Sequence, residues 1–245
     1  MNRYYYDLHI HSCLSPCADD DNTPNNIAGM ATLCGLNIVA LTDHNSCKNC
    51  PAFFEAAKRY GLIAIAGMEL TTAEDIHIIC LFEDLEDALS FDKAIDEFRI
   101  PIKNRVEIYG EQRILDGEDN LVAVEENLLS NATKISVDDV PKLVSAYNGI
   151  CYPAHIDRQA NGIIATLGTL PDIKGYVDCV ELNNGEKEKE LTEKYSLNNK
   201  RIIVSSDAHT LTDLRDENAF FMIDDEPYSS ALVRKRVFEY LRGGP

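Results

Sequence analysis

The sequence predicts an α/β protein, a single barrel-sized domain with a parallel sheet, helices outside and a hairpin-containing insertion. Three observations predict it. Apolar strand-like runs alternate with helix-like segments over the first hundred or so residues, the rhythm of a parallel sheet with helices outside. The length, 245 residues, lies in the range of a single α/β barrel. All six histidines fall in or at the ends of predicted strands, and in a parallel barrel the strand C-termini converge on the face where sites are built. One domain, 1–245, is expected, with an insertion at about 100–131 over one rim.

Tyr4–His11 (Y-Y-Y-D-L-H-I-H) is rich in aromatic residues and reads as a strand. Residues two apart share a face, so His9 and His11 project together. A polar loop follows, and Thr23 as N-cap with Pro24 at the first helical position opens a helix to about Leu36. Asn37–His44 has the continuous apolar character of a buried parallel strand. Cys47-Lys-Asn-Cys50-Pro51 opens a second helix that places Phe53, Phe54, Ala57 and Tyr60 at helical spacing and stops at Gly61. L-I-A-I-A-G-M-E-L is a third strand ending near Glu69, and D-I-H-I-I-C-L-F-E a fourth with His77 just inside it.

Leu85–Phe98 is helical, after which a hairpin is expected around Asp116-Gly117. Ser136 caps a helix through Tyr147, and I-C-Y-P-A-H is a strand ending at His155. V-D-C-V-E-L-N is another strand, Glu186–Ser196 a charged helix, and R-I-I-V-S-S-D-A-H a strand ending at Asp207 and His209. A-F-F-M-I-D and an amphipathic helix, Ser229–Leu241, close the chain.

Hydrophobic residues at 45% and charged residues at 26% describe an ordinary globular protein. No run is long enough to cross a bilayer and M-N-R-Y-Y-Y-D lacks a secretory apolar segment, so no membrane partner and a cytoplasmic location are expected. The net charge of −18, from 23 basic against 41 acidic residues, repels a phosphate backbone at long range, so no extended nucleic acid is expected. Eight cysteines without an export signal read as core residues, metal ligands or redox thiols rather than a disulfide framework.

Glu69 and Asp207 stand at equivalent strand ends, and Asp207 with His209 repeats the spacing of His9 and His11. Imidazole nitrogens with carboxylate oxygens suit zinc, manganese or iron. More than six candidate ligands are too many for one ion, so two or three divalent ions are expected.

These residues come in a particular order: H-I-H, Asp19 five residues before Pro24, T-D-H ending at His44, G-M-E, His77, A-H at 155 and S-D-A-H ending at His209. In that order the chain resembles the polymerase and histidinol phosphatase (PHP) superfamily from Tyr4 to His209. The resemblance implies a distorted (β/α)7 TIM-like barrel with a multinuclear site for phosphoester hydrolysis. It implies one ion on His9, His11, Glu69 and Asp207, a second on Glu69, His77 and His155, and a third on Asp19, His44 and His209. The chain departs from the family's Ser-Asp-Gly at Ser15-Pro-Cys-Ala-Asp19-Asp20, which leaves Asp19, Asp20 and Asp21 as alternatives for one ligand. The long insertion before His155 blocks any transfer of substrate identity.

Asp43 reads as an acid that orients a ligand or caps a helix, and Glu181 as either a packing-edge residue or an acid behind the ligands. Arg158 is either a phosphate clamp, since a guanidinium grips two phosphate oxygens in a fork, or the partner of Asp157 or another acid. Cys13, Cys17, Cys47 and Cys50 lie in the loops after the first two strands and could hold a structural zinc, form a redox-sensitive pair, or pack as reduced thiols. Cys34, Cys80, Cys151 and Cys179 read as core.

The expected activity is metal-dependent hydrolysis of a small phosphorylated substrate, such as a nucleotide or histidinol phosphate, by a metal-activated water. Arg158 and Asp207 are the expected catalytic residues, and an acid such as Asp157 could protonate the leaving group. The alternatives are an exonuclease on short oligonucleotides, amide or ester hydrolysis, and a non-catalytic metal- or redox-sensing module. An exonuclease would want a basic or aromatic track, and Arg234-Lys235-Arg236 reads more simply as a solvated helix face. An amidohydrolase would want a lysine at a strand end, where none stands.

Overall fold

Among the described residues, ten strands set the frame: β1 (Asn2–Ile10), β2 (Ile38–Leu41), β3 (Ile63–Thr71), β4 (His77–Phe82), β5 (Arg113–Leu115), β6 (Leu121–Val124), β7 (Ile150–Pro153), β8 (Cys179–Leu182), β9 (Arg201–Val204) and β10 (Phe220–Ile223). They come from a computed structural model that describes residues 1–216 and 219–244. Six of them form one sheet in the order β10-β1-β2-β3-β4-β7, and β8 and β9 form a separate parallel pair. The sheet curls into a half-barrel.

The expected run of parallel β/α repeats is corrected at β4. Strands β1, β2 and β3 are parallel, but β4 pairs antiparallel with β3, with Thr71 opposite His77. The segment 72–76 is too short for the crossover of a dozen or more residues that a parallel pair needs, so the chain folds back as a hairpin. β7 is antiparallel to β4 and so runs with β1–β3 again. The β8–β9 pair is tied on by Ile156 N donating to Glu181 O (2.9 Å) and Val177 N to Cys151 O (3.2 Å). His11 N, donating to Ala208 O (3.0 Å), joins the end of β1 to the segment after β9.

Helices cover the sheet where the sequence placed them, with some shortened. Thr23 accepts from Asn26 N, Pro24 begins the first helix, and it ends at Leu33 because Gly35 turns left-handed. Cys50–Tyr60 ends as expected on left-handed Gly61. The segment 85–98 is an α-helix to Ala94 and then a 3-10 turn, and the helix expected over 136–147 is regular only at Val140–Ser145. Apolar side chains pack on both faces of the sheet: Phe53, Phe82 and Phe91 outside with the helices, and Leu8, Ile65, Tyr152 and Phe238 in the second cluster. Each is fully buried, worth about 1.5–3 kcal/mol.

The hairpin β5–β6 forms around Asp116-Gly117. Its segment is stapled to the loops after β1 and β2: Arg113 N donates to Cys13 O (3.1 Å), Asn49 Nδ2 to Arg113 O (3.0 Å) and Asn45 Nδ2 to Leu129 O (2.7 Å). These bonds brace the rim from outside. Among the described residues, no helix is long and apolar enough to cross a membrane.

Candidate metal centre

His9 lies near the end of β1 and His11 just after it, Glu69 lies near the end of β3, and His44, His155, Asp207 and His209 follow β2, β7 and β9. Because β4 runs backward, its first residue, His77, lies on the rim where the parallel strands end. The reversal therefore keeps all six histidines on one rim. His9 Nδ1 lies 2.8 Å from Glu181 Oε1 and His11 Nδ1 3.0 Å from Ser15 Oγ. With the ring protons on those Nδ1 atoms, both Nε2 lone pairs face inward, 3.1 Å apart.

Carboxylates complete that group. His9 Nε2 is 3.3 Å from Glu69 Oε1 and 3.2 Å from Asp207 Oδ1; His11 Nε2 is 3.3 Å from Glu69 Oε2 and 3.3 Å from Asp207 Oδ1. A tetrahedral ion with bonds of about 2.1 Å holds its ligands about 3.4 Å apart. The donors thus stand at the edge lengths of a coordination polyhedron, and their converging lone pairs repel unless a cation lies between them. A second group shares Glu69: Oε1 is 2.7 Å from His77 Nδ1 and 2.9 Å from His155 Nε2, those nitrogens are 3.3 Å apart, and Oε2 is 3.0 Å from His44 Nδ1. A third cluster consists of His11, His44 and His209.

Asp19 does not join it. Asp19 N donates to His209 O (2.8 Å), fixing the main chain at the rim, while the exposed carboxylate accepts from Asp21 N (2.9 Å). Asp20 and Asp21 are also exposed, and none of the three belongs to a cluster of ligating atoms. The aspartates therefore stay in solvent.

The electrostatics have the same sign of demand. Burial pushes the Glu69 carboxyl up, but the imidazoles of His77, His9, His44 and His11 hold it well below its ordinary range. Asp207 is likewise lowered against its burial by His9 and His11. His9 is raised well above its ordinary value in spite of burial by Glu181, Asp207 and Glu69, and His11 and His44 rise to about 9 against theirs, through Asp207 and Glu69 for His11 and through Glu69 with contact from Cys17 for His44. Burial and the neighbouring His11 lower His209 to about 3. His44 Nδ1, Glu69 Oε2, His155 Nδ1 and Asp207 Oδ1 are buried with no hydrogen-bond partner. Buried anions that draw protons onto neighbouring imidazoles, with orphaned donor atoms among them, fit divalent cations.

Supporting residues orient the ligands. Glu181 Oε1 accepts from both His9 Nδ1 and His155 N (3.1 Å), so it is the acid behind the ligands rather than a packing-edge residue. Asp43 accepts from Ser12 Oγ and Ser15 Oγ, both at 2.7 Å, and Ser15 in turn holds His11. Asp7 Oδ1 accepts from His9 N (3.2 Å) and Ser206 N (3.1 Å). Ser15 and Asp7 escape a sequence reading, although the period-two run Asp7-His9-His11 carried a signal for the latter.

Asp157 does not line the cavity beside the metal clusters. Its two oxygens accept from Asn183 N (2.9 Å) and Asn184 N (3.0 Å), so it braces the turn after β8. Arg158 pairs with Asp207 Oδ2 instead of Asp157. It helps line a cavity of about 190 Å3 with Cys17, His44, Glu69, His77, His155, Asn161, Asp207 and His209. A larger cavity of about 450 Å3, beside Tyr6 and Val204, is lined by no histidine. Cys47 and Cys50 are buried against Gly67 O (3.2 and 3.7 Å), Cys13 is buried, and Cys17 is exposed at the metal cavity. The four thus do not face one another over one site, which removes the shared structural zinc.

Residues 7–207 match the PHP domain family. The chain belongs to it. Members of this family are metal-dependent hydrolases, phosphoesterases and nucleases among them, and bind several divalent metals. The chain is 32% identical over 103 residues to an uncharacterised protein of Methanocaldococcus jannaschii, matching 38% of this chain and 60% of that one. It is 32% identical over 121 residues to a 5'-3' exoribonuclease of Haemophilus influenzae, matching 46% of this chain and 43% of the relative. Less than two thirds of either relative is spanned.

Among solved structures, the lesion-specific endonuclease Q of Pyrococcus furiosus aligns with a TM-score of 0.68 at 17% identity, over 99% of this chain and 56% of the other. A Bifidobacterium adolescentis protein named as a candidate metal-dependent phosphoesterase aligns with a TM-score of 0.59 at 17% identity, over 99% and 97% of the two chains. These likenesses establish a shared fold. Endonuclease Q has also been solved with a 27-mer duplex carrying an abasic lesion at its active site (TM-score 0.65, 17% identity, 97% of this chain and 57% of that one). That complex overturns the expectation that extended nucleic acid is excluded: a protein that shares this fold is solved with a duplex, and net charge is a long-range average that a local site can override.

Proposed function

We propose that the protein is a metal-dependent phosphoesterase. The observation that carries this reading is the convergence of His9, His11, Glu69 and Asp207 with ligand–ligand distances of 3.1–3.3 Å beside a cavity walled by Arg158. Divalent zinc, manganese or iron held there would supply Lewis acidity toward phosphoryl oxygens and a nucleophile at neutral pH. The chain's own residues do the rest. His9, His11, Glu69 and Asp207 would hold one ion, and Glu69, His77 and His155 a second. Glu181 and Ser15 keep the protons on His9 and His11 at Nδ1, so that Nε2 stays a donor. Arg158, with its side chain nearly half exposed and paired with Asp207, would donate hydrogen bonds to phosphoryl oxygens and offset their negative charge.

The cavity, about 190 Å3, is smaller than the roughly 300–1,000 Å3 that encloses a whole drug-sized ligand. It admits a phosphoryl group and leaves the bulk of the substrate at the mouth. A free nucleotide or sugar phosphate satisfies that shape, and so does the end of a nucleic-acid strand. The strand-end reading is favoured by the relative named a 5'-3' exoribonuclease. Turnover on a panel of phosphomonoesters, phosphodiesters and short 5'-phosphorylated oligonucleotides, with metal content measured on the same sample, tests both. Release of phosphate supports the small-substrate reading and stepwise release of mononucleotides the strand reading. A metal-replete protein inert on the whole panel would sink the phosphoesterase assignment.

A further inference from the structure

The third cluster, His11, His44 and His209, is made of neutral donors and contains no carboxylate. The other two groups share Glu69. His11 already turns Nε2 to the first group and its Nδ1 proton to Ser15, so an ion there rests on His44 and His209. It lacks the anion that each of the other groups has, and the nearby aspartates of the loop are turned out to solvent.

We infer that the Cys17 thiolate is the anionic ligand of the third cluster. Residues on both sides of Cys17 are bonded to that cluster. Ser15, two residues before, meets His11 Nδ1 (3.0 Å) and accepts from His44 N (3.1 Å) through its hydroxyl. Asp19, two residues after, donates its N–H to His209 O (2.8 Å). Ala18 N to Ser15 O (3.0 Å) closes the turn between them. The Cys17 backbone is thereby pinned over the cluster, with its exposed side chain beside His44.

A second observation points to a ligand there. His44, 5% exposed, makes no ordinary hydrogen bond at Nδ1, which lies 3.0 Å from Glu69 Oε2, and it is in contact with Cys17, which lines the same cavity as His44 and His209. Thiolate with imidazole is a donor set that zinc and iron accept, with a metal–sulfur bond of about 2.3 Å. On coordination the sulfur lone pair forms the bond and the thiol proton leaves to solvent. His44 would then serve the third ion, leaving Glu69, His77 and His155 for the second.

This inference rests on the metal-centre reading, and the test separates the two. Cobalt(II) is loaded into the wild type, C17S, C17D and D19N, and bound metal and near-ultraviolet absorption are measured. The wild type should show a thiolate-to-cobalt charge-transfer band. C17S should lose the band and one equivalent of metal, C17D should regain the equivalent without the band, and D19N should keep both. A wild type that binds cobalt without the band, or C17S with unchanged metal content, overturns the assignment of Cys17. A wild type that binds no metal overturns the metal centre itself, and Cys17 with it.

Discussion

Replacing Glu181 by Gln tests whether the ligands are oriented from behind. One carboxylate oxygen accepts from His9 Nδ1 at 2.8 Å and from His155 N at 3.1 Å, so a single group steers a ligand on each side of Glu69. Removing an outer partner of a ligating histidine costs about 10–100-fold in metal affinity, roughly 1.4–2.8 kcal/mol. Glu181 is fully buried and serves two ligands, so E181Q should lie toward the upper end. Glutamine keeps an acceptor and loses the charge. E181A loses both and leaves a buried ring N–H unsatisfied, a further cost of about 1–3 kcal/mol. Affinity is read by competition with a chromophoric chelator, and thermal melting of the metal-free proteins checks that each variant folds. A folded E181Q that binds metal as tightly as the wild type would refute the argument.

Three other outcomes follow from the geometry. Asp207→Asn should drop turnover to that of chelated protein and lower bound metal while melting cooperatively, because asparagine tolerates the left-handed backbone at this position (φ 53°); unchanged metal content would count against Asp207 as a ligand. A thiol reagent on the native metal-free protein should label Cys17 first and half-buried Cys34 more slowly. Burial pushes Cys13 and Cys179 up to about 12 and Cys47 well above its ordinary value, so those three react only after unfolding, which mass spectrometry of the labelled peptides reads directly. Burial raises Glu125, but its bond to Lys48 leaves it lowered overall. A lowered carboxyl stabilises above its unfolded pKa and loses that contribution as pH falls through the folded one. E125Q should therefore melt about 1–2 °C below the wild type at neutral pH, for a partly exposed pair worth about 0.5 kcal/mol, and the gap should close in acid.

The ligands were legible because strand periodicity and strand ends are local features of sequence. Tyr4–His11 announces two inward imidazoles by period alone, and T-D-H, A-H and S-D-A-H each terminate an apolar run. The direction of β4 was less legible: D-I-H-I-I-C-L-F-E reads alike in either sense, and only the shortness of the segment 72–76 argues for a hairpin. Asp19 misled because carboxylates in a loop declare their chemistry but not their direction, which a main-chain bond to His209 decides. Ser15 was invisible for the same reason, since its role is fixed by Asp43, 28 positions away in the chain. The bias of whole-chain charge against nucleic acid failed because recognition is local.

Two ligands also stand at positive φ, uncommon for any residue but glycine: His155 has φ 22° and Asp207 φ 53°. Conformations of this kind cost about 1–3 kcal/mol each and persist only where surrounding bonds over-determine them. Here they do. His155 N is held by Glu181, and beyond Asp207 the next residue, Ala208, donates its N–H to Ser206 Oγ (3.2 Å) and accepts from His11 N at its carbonyl. Relaxation to ordinary backbone angles at either position would swing the side chain away from Glu69 and break bonds that also orient His9 and His11. The strain and the ligand geometry are therefore coupled through the same hydrogen bonds. Cations bound only by the strained arrangement would stabilise it by mass action, so removal of metal should loosen the ends of β7 and β9 before it loosens the core behind them.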